Sequence, residues 1–184
     1  KSLAIRTMNQ EIFELPIKLH GVSESILKRR SIVLARFIKH FADLLDLNPD
    51  DAYLCGLFFN FSHVSFEKLA ESQILEVADY DSLKIDCAYW TSQAMREIGF
   101  KETITSFISD SFKDFYSTTF PFAQALARIG NGLLIETEVG VNALIGRGSK
   151  IDRDLLDATG LSTREIVAVL KDLTRSYKGG VNNQ

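Results

Sequence analysis

The fold is decided by residues 26–64, which read ILKRRSIVLARFIKHFADLLDLNPDDAYLCGLFFNFSHV. At roughly 100° per residue, the apolar residues of the first half share one face, as in an amphipathic core helix. That face holds Ile26, Leu27, Val33, Leu34, Phe37, Ile38, Phe41, Leu44 and Leu45. Asn48-Pro49-Asp50-Asp51 then predicts a helix start, with a capping asparagine, proline at the first helical position and acids in the first turn. We therefore expect two consecutive helices joined by a short acidic turn.

Arg30 interrupts the apolar face of the first helix. The same wheel points it into the middle of that face, between Leu34 and Phe37. An unpaired buried charge is costly, so an interior arginine needs partners. The other basic residues of this helix lie on the opposite face and are Lys28, Arg29, Arg36 and Lys39. We interpret them as a solvated stripe, with docking of an acidic partner as the alternative.

Two runs of these helices resemble the HD superfamily of metal-dependent phosphohydrolases. They are Arg30-Ser31 followed by Val33, Ala35 and Phe41-Ala42, and Asp50-Asp51-Ala52-Tyr53-Leu54-Cys55-Gly56-Leu57-Phe58. The family has a His-Ser pair in the first run and Gly-Leu-Leu-His-Asp-Ile-Gly in the second. The chain is most similar to the HDOD branch, a helical signalling domain of bacteria. The resemblance covers about residues 2–140.

The resemblance also implies which chemistry has been lost. In HD enzymes the first histidine, the His-Asp pair and a late aspartate bind one or two metals. The matching positions hold Arg30, Phe59, Asn60 and, within the run ARIGNGL at 127–133, Asn131. Asparagine binds hard cations poorly without carboxylates and does not supply the charge that activates a metal-bound water. We therefore predict a vestigial pocket with no metal, no cofactor and no catalytic residue.

Three further residues are candidates for this pocket. His63 follows the altered motif and either lines the pocket or stabilises a helix end. Asp86 and Asp110 lie at the rough equivalents of histidines that family members often carry, and each is a candidate counter-charge for Arg30. Arg30 then either forms an internal salt bridge, which we favour, or holds a small anion such as a phosphate. Asn60 and Asn131 satisfy each other or the backbone, or they bind a ligand.

Helical periodicity predicts an all-α fold, a multi-helix HD/HDOD-like orthogonal bundle with a small C-terminal helical tail. We expect helices at 2–19, 66–78, 82–98, 101–115, 121–139, 152–158 and 162–177. The third of these should turn Leu83, Cys87, Trp90, Ala94 and Ile98 inward, and the last should start with a capping box over residues 162–165. Residues 1–140 should form the core, which lacks an N-terminal layer of the family. Residues 141–178 should be helices packed on it, and 179–184 a disordered tail.

Composition narrows the class of protein. The chain has 184 residues, is 46% apolar and carries a net charge of −3, which argues against a general nucleic-acid binder. No run approaches 18 apolar residues, so we expect no membrane span. Cys55 and Cys87 lie in apolar stretches of the sequence. This predicts that both are buried free thiols and that the protein occupies a reducing, cytoplasmic compartment. The three histidines show no ligand spacing, so no zinc site is predicted.

Three functional hypotheses remain, and we rank them in order. The first is a non-catalytic regulatory domain that acts through a protein partner or a fused signalling domain, with a homodimer as one arrangement. The second is a sensor that binds a small anion in the vestigial pocket around Arg30, Asn60 and Asn131. The third is a phosphohydrolase with unusual ligands, for which the motif positions supply no carboxylate cluster.

Overall fold

The structure, a computed structural model, describes residues 24–62, 80–138 and 153–181. Within these ranges the chain is entirely helical and contains no strand, which confirms the all-α prediction. The helices are α1 (Glu24–His40), α2 (Pro49–Phe58), α3 (Tyr80–Glu97), α4 (Glu102–Ser109), α5 (Pro121–Glu138), α6 (Arg153–Thr159) and α7 (Thr163–Val181), with a short 3-10 helix at Phe115–Ser117. The helices predicted at 2–19 and 66–78 lie outside the described residues. No helix within the described ranges is both long and apolar enough to cross a bilayer.

Helices α1 and α2 form an antiparallel pair. As predicted, α2 begins at Pro49, and the side chain of Asn48 accepts hydrogen bonds from the backbone N–H groups of Asp50 at 3.0 Å and Asp51 at 3.4 Å. Lys39 in the last turn of α1 forms an ion pair with Asp50 in the first turn of α2, at 3.3 Å. Since the end of one helix meets the start of the other, the two helices run in opposite directions.

The first helix ends earlier than its apolar pattern predicted. It stops at His40, and the chain continues through turns that close at Asp46, whose φ of 51° is left-handed. The N–H of Leu47 then bonds to the carbonyl of Ala42 at 3.0 Å, which brings Leu47 into the interior. Leu44 is 58% exposed, so its predicted place on the buried face is wrong. Helical periodicity no longer applies once the chain has left the helix.

The core lies where α4, α5 and α7 pack against the α1–α2 pair. Helices α5 and α7 lie against α1, α4 lies against α2 and α3, and α6 lies against α5. The largest fully buried side chains include Phe37, Phe58, Phe107, Leu126 and Ile166. Burying each such side chain contributes roughly 1.5–3 kcal/mol to the free energy of unfolding. The core is therefore shared by α1, α2, α4, α5 and α7.

The buried face of α3 differs from the prediction. Cys87 is buried as expected, but Trp90 is 67% exposed and Ile98, just beyond the helix, is 73% exposed. The buried positions instead include the small residues Ala88 and Ser92. Ser92 can be buried because its hydroxyl donates to the carbonyl of Tyr89 at 2.7 Å. The prediction of Trp90, Ala94 and Ile98 as inward residues was wrong because it placed the buried face about one residue away from the positions that are buried, which include Thr91 and Met95.

The ends of the later helices follow local hydrogen bonds. Helix α4 starts at Glu102 and stops at Ser109, short of the predicted residue 115. The capping box of α7 is confirmed: the Ser162 N–H and hydroxyl donate to the carboxylate of Glu165 at 2.8 and 2.6 Å, and the Glu165 N–H donates to the Ser162 hydroxyl at 3.3 Å. Helix α7 continues to Val181, beyond the residue at which the disordered tail was predicted to begin.

Candidate functional site

The candidate site lies where α2 and α5 cross α1, and two glycines make both crossings close. A Cβ atom at Gly56 would lie 2.7 Å from the Leu34 carbonyl oxygen and 2.7 Å from the Cα atom of Ala35. A Cβ atom at Gly130 would lie 2.8 Å from the ring of Phe37 and 3.1 Å from a Leu34 methyl carbon. Both helices therefore contact the same turn of α1, and three helices converge there.

The antiparallel register brings Arg30 and Asn60 to the same level along the α1–α2 pair. Lys39 faces Asp50, and Leu34 faces Gly56, so continuing one helical turn brings Arg30 level with Asn60. Asn131 directly follows Gly130 on α5. All three polar residues are interior: Arg30 is 7% exposed, Asn60 is 4% and Asn131 is 8%. The prediction that Arg30 points inward is confirmed.

The two asparagine side chains leave polar atoms without hydrogen bonds. The Asn60 Nδ2 donor and the Asn131 Oδ1 acceptor are both buried, and neither has a partner among the described residues. A buried polar group without a partner costs about 1–3 kcal/mol. The expectation that the two amides satisfy each other or the backbone is therefore not met by these two atoms.

Phe59, which precedes Asn60 in the sequence, is packed in the core. Its side chain is 2% exposed, and its ring lies 6.1 Å from that of Phe107 at an angle of 55°. This packing makes Phe59 a core residue at the position where the resembled enzymes carry a histidine. His63, the remaining residue predicted near the motif, lies outside the described residues.

A buried serine pair lies immediately after the motif and was not predicted. The hydroxyl oxygens of Ser62 and Ser111 are 3.2 Å apart, and both residues are buried. The pair links the end of the α2 segment to the segment after α4. A small polar residue in an apolar run is the only signal of Ser62 in the sequence, and it does not indicate the partner.

The two predicted counter-charges occupy different environments. Asp86 is exposed on α3, whereas Asp110 is 4% exposed. The Asp110 carboxylate accepts hydrogen bonds from Lys113 Nζ and from the Thr119 N–H, each at 2.8 Å. Burial alone would raise the pKa of Asp110, but these hydrogen bonds and the charge of Lys113 together lower it. Asp110 thus has a counter-charge other than Arg30.

Arg128 belongs to the same polar cluster as Asp110 and Lys113. Its guanidinium donates to the backbone carbonyls of Asp110 and Lys113. Burial lowers the pKa of Arg128, and the charges of Asp114 and Asp110 oppose that effect. These hydrogen bonds hold the segment between α4 and α5 against α5, so Arg128 stabilises the fold.

Neither cysteine has the environment of a reactive thiol. Cys55 and Cys87 are free and buried, as the sequence predicted. Burial raises the pKa of both thiols, and the nearby carboxylates of Asp51 and Asp86 add to the effect at Cys55 and Cys87 respectively. Both thiols therefore stay protonated at neutral pH and are weak nucleophiles. Within the described ranges, no three His, Cys, Asp or Glu side chains come together as a metal-binding group.

Comparisons with known proteins identify no family for this chain. The chain matches no protein-family model, no curated protein and no solved structure. The similarity to the HDOD branch remains a prediction that rests on the sequence motifs.

Proposed function

We propose that this chain is a non-catalytic regulatory domain of bacterial signal transduction, resembling HDOD, that acts through contacts with a protein partner or a fused signalling domain. The observation that carries the proposal is the burial of Arg30 on α1, Asn60 just after α2 and Asn131 on α5, three helices that meet beside Leu34. By the resemblance, this is the position where HD enzymes bind their metals.

The chemistry of these three side chains supports a structural use of the position. A guanidinium has a fixed positive charge and five donors, so it can replace the charge of a cation between converging helices. Asn60 and Asn131 provide neutral amides where the metal enzymes provide carboxylates. Neutral amides bind hard cations weakly and do not supply the charge that activates a bound water.

The close contacts at Gly56 and Gly130 support a role in transmitting a change of state. Helix α1 contacts both α2 and α5 near Leu34, without room for a side-chain carbon at Gly56 or Gly130. Closely packed elements move between discrete arrangements rather than deforming smoothly. A partner that displaces α1 would therefore displace its two neighbours as well.

A second candidate, a sensor of a small anion, is favoured by one observation. Asn60 Nδ2 is a buried donor without a partner among the described residues, and it lies level with Arg30 in the α1–α2 register. A guanidinium and an amide N–H together can bind an oxyanion. We rank this candidate second because the Asn131 Oδ1 atom is an acceptor at the same convergence and would repel an anion.

Metal analysis of the natural chain and of a restored variant tests the first proposal. We expect no stoichiometric Mn, Fe or Zn in the natural chain and no hydrolysis of bis(p-nitrophenyl) phosphate. The variant Arg30→His, Phe59→His, Asn60→Asp and Asn131→Asp should gain metal binding, because it rebuilds the ligand set that the resemblance implies. One metal per natural chain would contradict the non-catalytic assignment. A folded variant that binds no metal would contradict the resemblance to the HD family.

Thermal denaturation in phosphate separates the two candidates. A sensor should be stabilised by phosphate in proportion to its occupancy, and Asn60→Leu should remove the effect. Arg36→Ala is the control, because the Arg36 side chain is exposed to solvent on α1. A regulatory domain without an anion site should show the same small salt effect in all three proteins.

A further inference from the structure

A cavity of about 260 Å³ lies between the turn after α1, the start of α5 and the connection from α6 to α7. Its apolar lining comes from Leu44, Leu45, Phe122, Leu126 and Leu161, and Asp157 is its charged residue. None of the residues that line the cavity belongs to the site described above.

Two lining residues expose large apolar surfaces. Leu44 is 58% exposed and Phe122 is 57% exposed, although both contact the cavity. Covering a side chain of this size contributes roughly 1.5–3 kcal/mol. An apolar group that entered the cavity would therefore gain contact with both exposed side chains as well as with the buried Leu126.

The size and the polar groups of the cavity restrict its occupant. Small-molecule pockets usually span about 300–1,000 Å³ and place several polar groups toward the ligand. Here the Thr159 hydroxyl is already used, since it donates to the Leu156 carbonyl at 2.8 Å and accepts from the Leu161 N–H at 3.2 Å. The cavity fits one or two bulky apolar side chains better than a nucleotide or a sugar.

The surroundings of the cavity carry negative charge. Asp157 lines it, and Asp43 and Asp46 flank the lining residues Leu44 and Leu45 in the turn after α1. These three carboxylates form none of the ion pairs found among the described residues. An occupant with basic residues beside its apolar group would therefore be attracted, and an acidic one would be repelled.

Tight turns hold two sides of the cavity in place. Gly160 has a φ of 65°, and its N–H bonds to the Asp157 carbonyl at 3.2 Å. Asp46 closes the turn on the opposite side in a similar left-handed conformation. A wall that is ordered before binding reduces the entropy lost on association.

From these observations we infer that the cavity binds a bulky apolar side chain, flanked by basic residues, from a segment of a partner protein. The inference rests on the proposed function for the premise that the domain works through a protein partner. It adds the surface at which the partner docks and the chemistry of the segment that is bound. Such apolar anchors in a cavity commonly supply most of the affinity of an interface.

Selection from a library of random peptides, each about 12 residues long, tests the inference on the full chain. We expect enrichment of peptides with Leu, Phe or Trp next to Lys or Arg. The consensus peptide should bind more weakly as salt is raised, and its affinity should fall at least about tenfold in Phe122→Ala and in Asp157→Lys. Both residues are exposed, so these variants should fold.

Matched variants elsewhere on the surface serve as controls. Ile98→Ala removes an apolar side chain that is 73% exposed, and Asp172→Lys reverses an exposed charge on α7. Both should bind the consensus peptide like the natural chain. Enrichment of acidic peptides, no enrichment, or equal loss in the controls would overturn the inference.

Two further outcomes are distinguishable. Sedimentation that shows self-association abolished by Phe122→Ala would mean that a second copy of the chain occupies the cavity, and it would overturn the inference. A failed peptide selection together with a metal-free, inactive natural chain would overturn only the docking site. The non-catalytic assignment is decided separately by the metal analysis.

Discussion

Gly56 of α2 lies so close to Leu34 of α1 that a Cβ atom at position 56 would be 2.7 Å from the Leu34 carbonyl oxygen. Since the obstructing atoms belong to the backbone, no side-chain rotation can relieve the contact. The two helices would have to move apart, and the register that brings Arg30 level with Asn60 would be lost. The glycine therefore supports the candidate site without belonging to it.

Gly56→Ala should lower the free energy of unfolding by roughly 1–3 kcal/mol or more, because the added methyl group overpacks the α1–α2 contact. Gly132→Ala is the matched control within α5, since no atom of the described residues, apart from its chain neighbours and its own helix backbone, lies within 4 Å of its Cβ position. That substitution should be neutral or should stabilise by up to about 1 kcal/mol. Chemical denaturation measures both, and similar values for the two variants would contradict the close helix contact.

Arg30→Ala should cost on the order of 3–5 kcal/mol, because it removes a buried charge and strands the groups that interact with it. Arg30→Met keeps much of the volume and should cost a similar amount if a carboxylate is the partner. Arg36→Ala, on the exposed side of the same helix, should change stability by less than about 0.5 kcal/mol. Denaturation with and without phosphate distinguishes an internal pair from an anion site. Stability like that of the natural chain in both Arg30 variants would show that Arg30 reaches solvent.

Asp110 should make the protein sensitive to acid. Its pKa in the folded chain is below the ordinary value of 3.8, so its contribution is complete above that pH and is lost as the pH falls through the folded pKa. Asp110→Asn should therefore lower stability by about 1–3 kcal/mol at neutral pH and flatten the acid limb of the stability curve. Denaturation across the acidic range, with Asp86→Asn as an exposed control, checks this. An unchanged acid limb in Asp110→Asn would refute it.

The basic stripe of α1 should not bind duplex DNA at physiological salt. Lys39 is engaged with Asp50 at 3.3 Å, and the neighbouring Arg29 is only partly exposed. Any residual binding should fall steeply with salt, as phosphate contacts do. Fluorescence anisotropy measures it. A micromolar complex that is lost in Lys28→Glu with Arg36→Glu would contradict the prediction.

Local chemistry made parts of the fold predictable. The start of α2 at Pro49 and the capping box at Ser162 depend on side chains that bond to backbone within a few residues. The inward direction of Arg30 followed from the periodicity of one helix. In each case the deciding contacts are close in sequence, so the sequence contains the information.

The failures have a common physical cause, which is that contacts with distant elements decided the result. Trp90 is large and apolar, yet the neighbours of α3 accept the small residues Ala88 and Ser92 instead. Asp110 was one of two candidate counter-charges for Arg30, but a turn after α4 brings Lys113 and the Thr119 N–H to it. The cavity beside Phe122 joins three separate segments, and no spacing in the sequence indicates that they meet.

The left-handed backbone at Asp46 has a consequence for the evolution of this domain. Only glycine, asparagine and aspartate adopt that conformation readily, so a descendant that keeps the turn must choose among them. Position 56 is restricted further, to glycine alone. An apolar helix pattern can be shared by unrelated chains, whereas these two restrictions, with Asn48-Pro49 between them, describe one specific helix pair. Together they form a search pattern by which diverged relatives can be recognised after the rest of the sequence has changed.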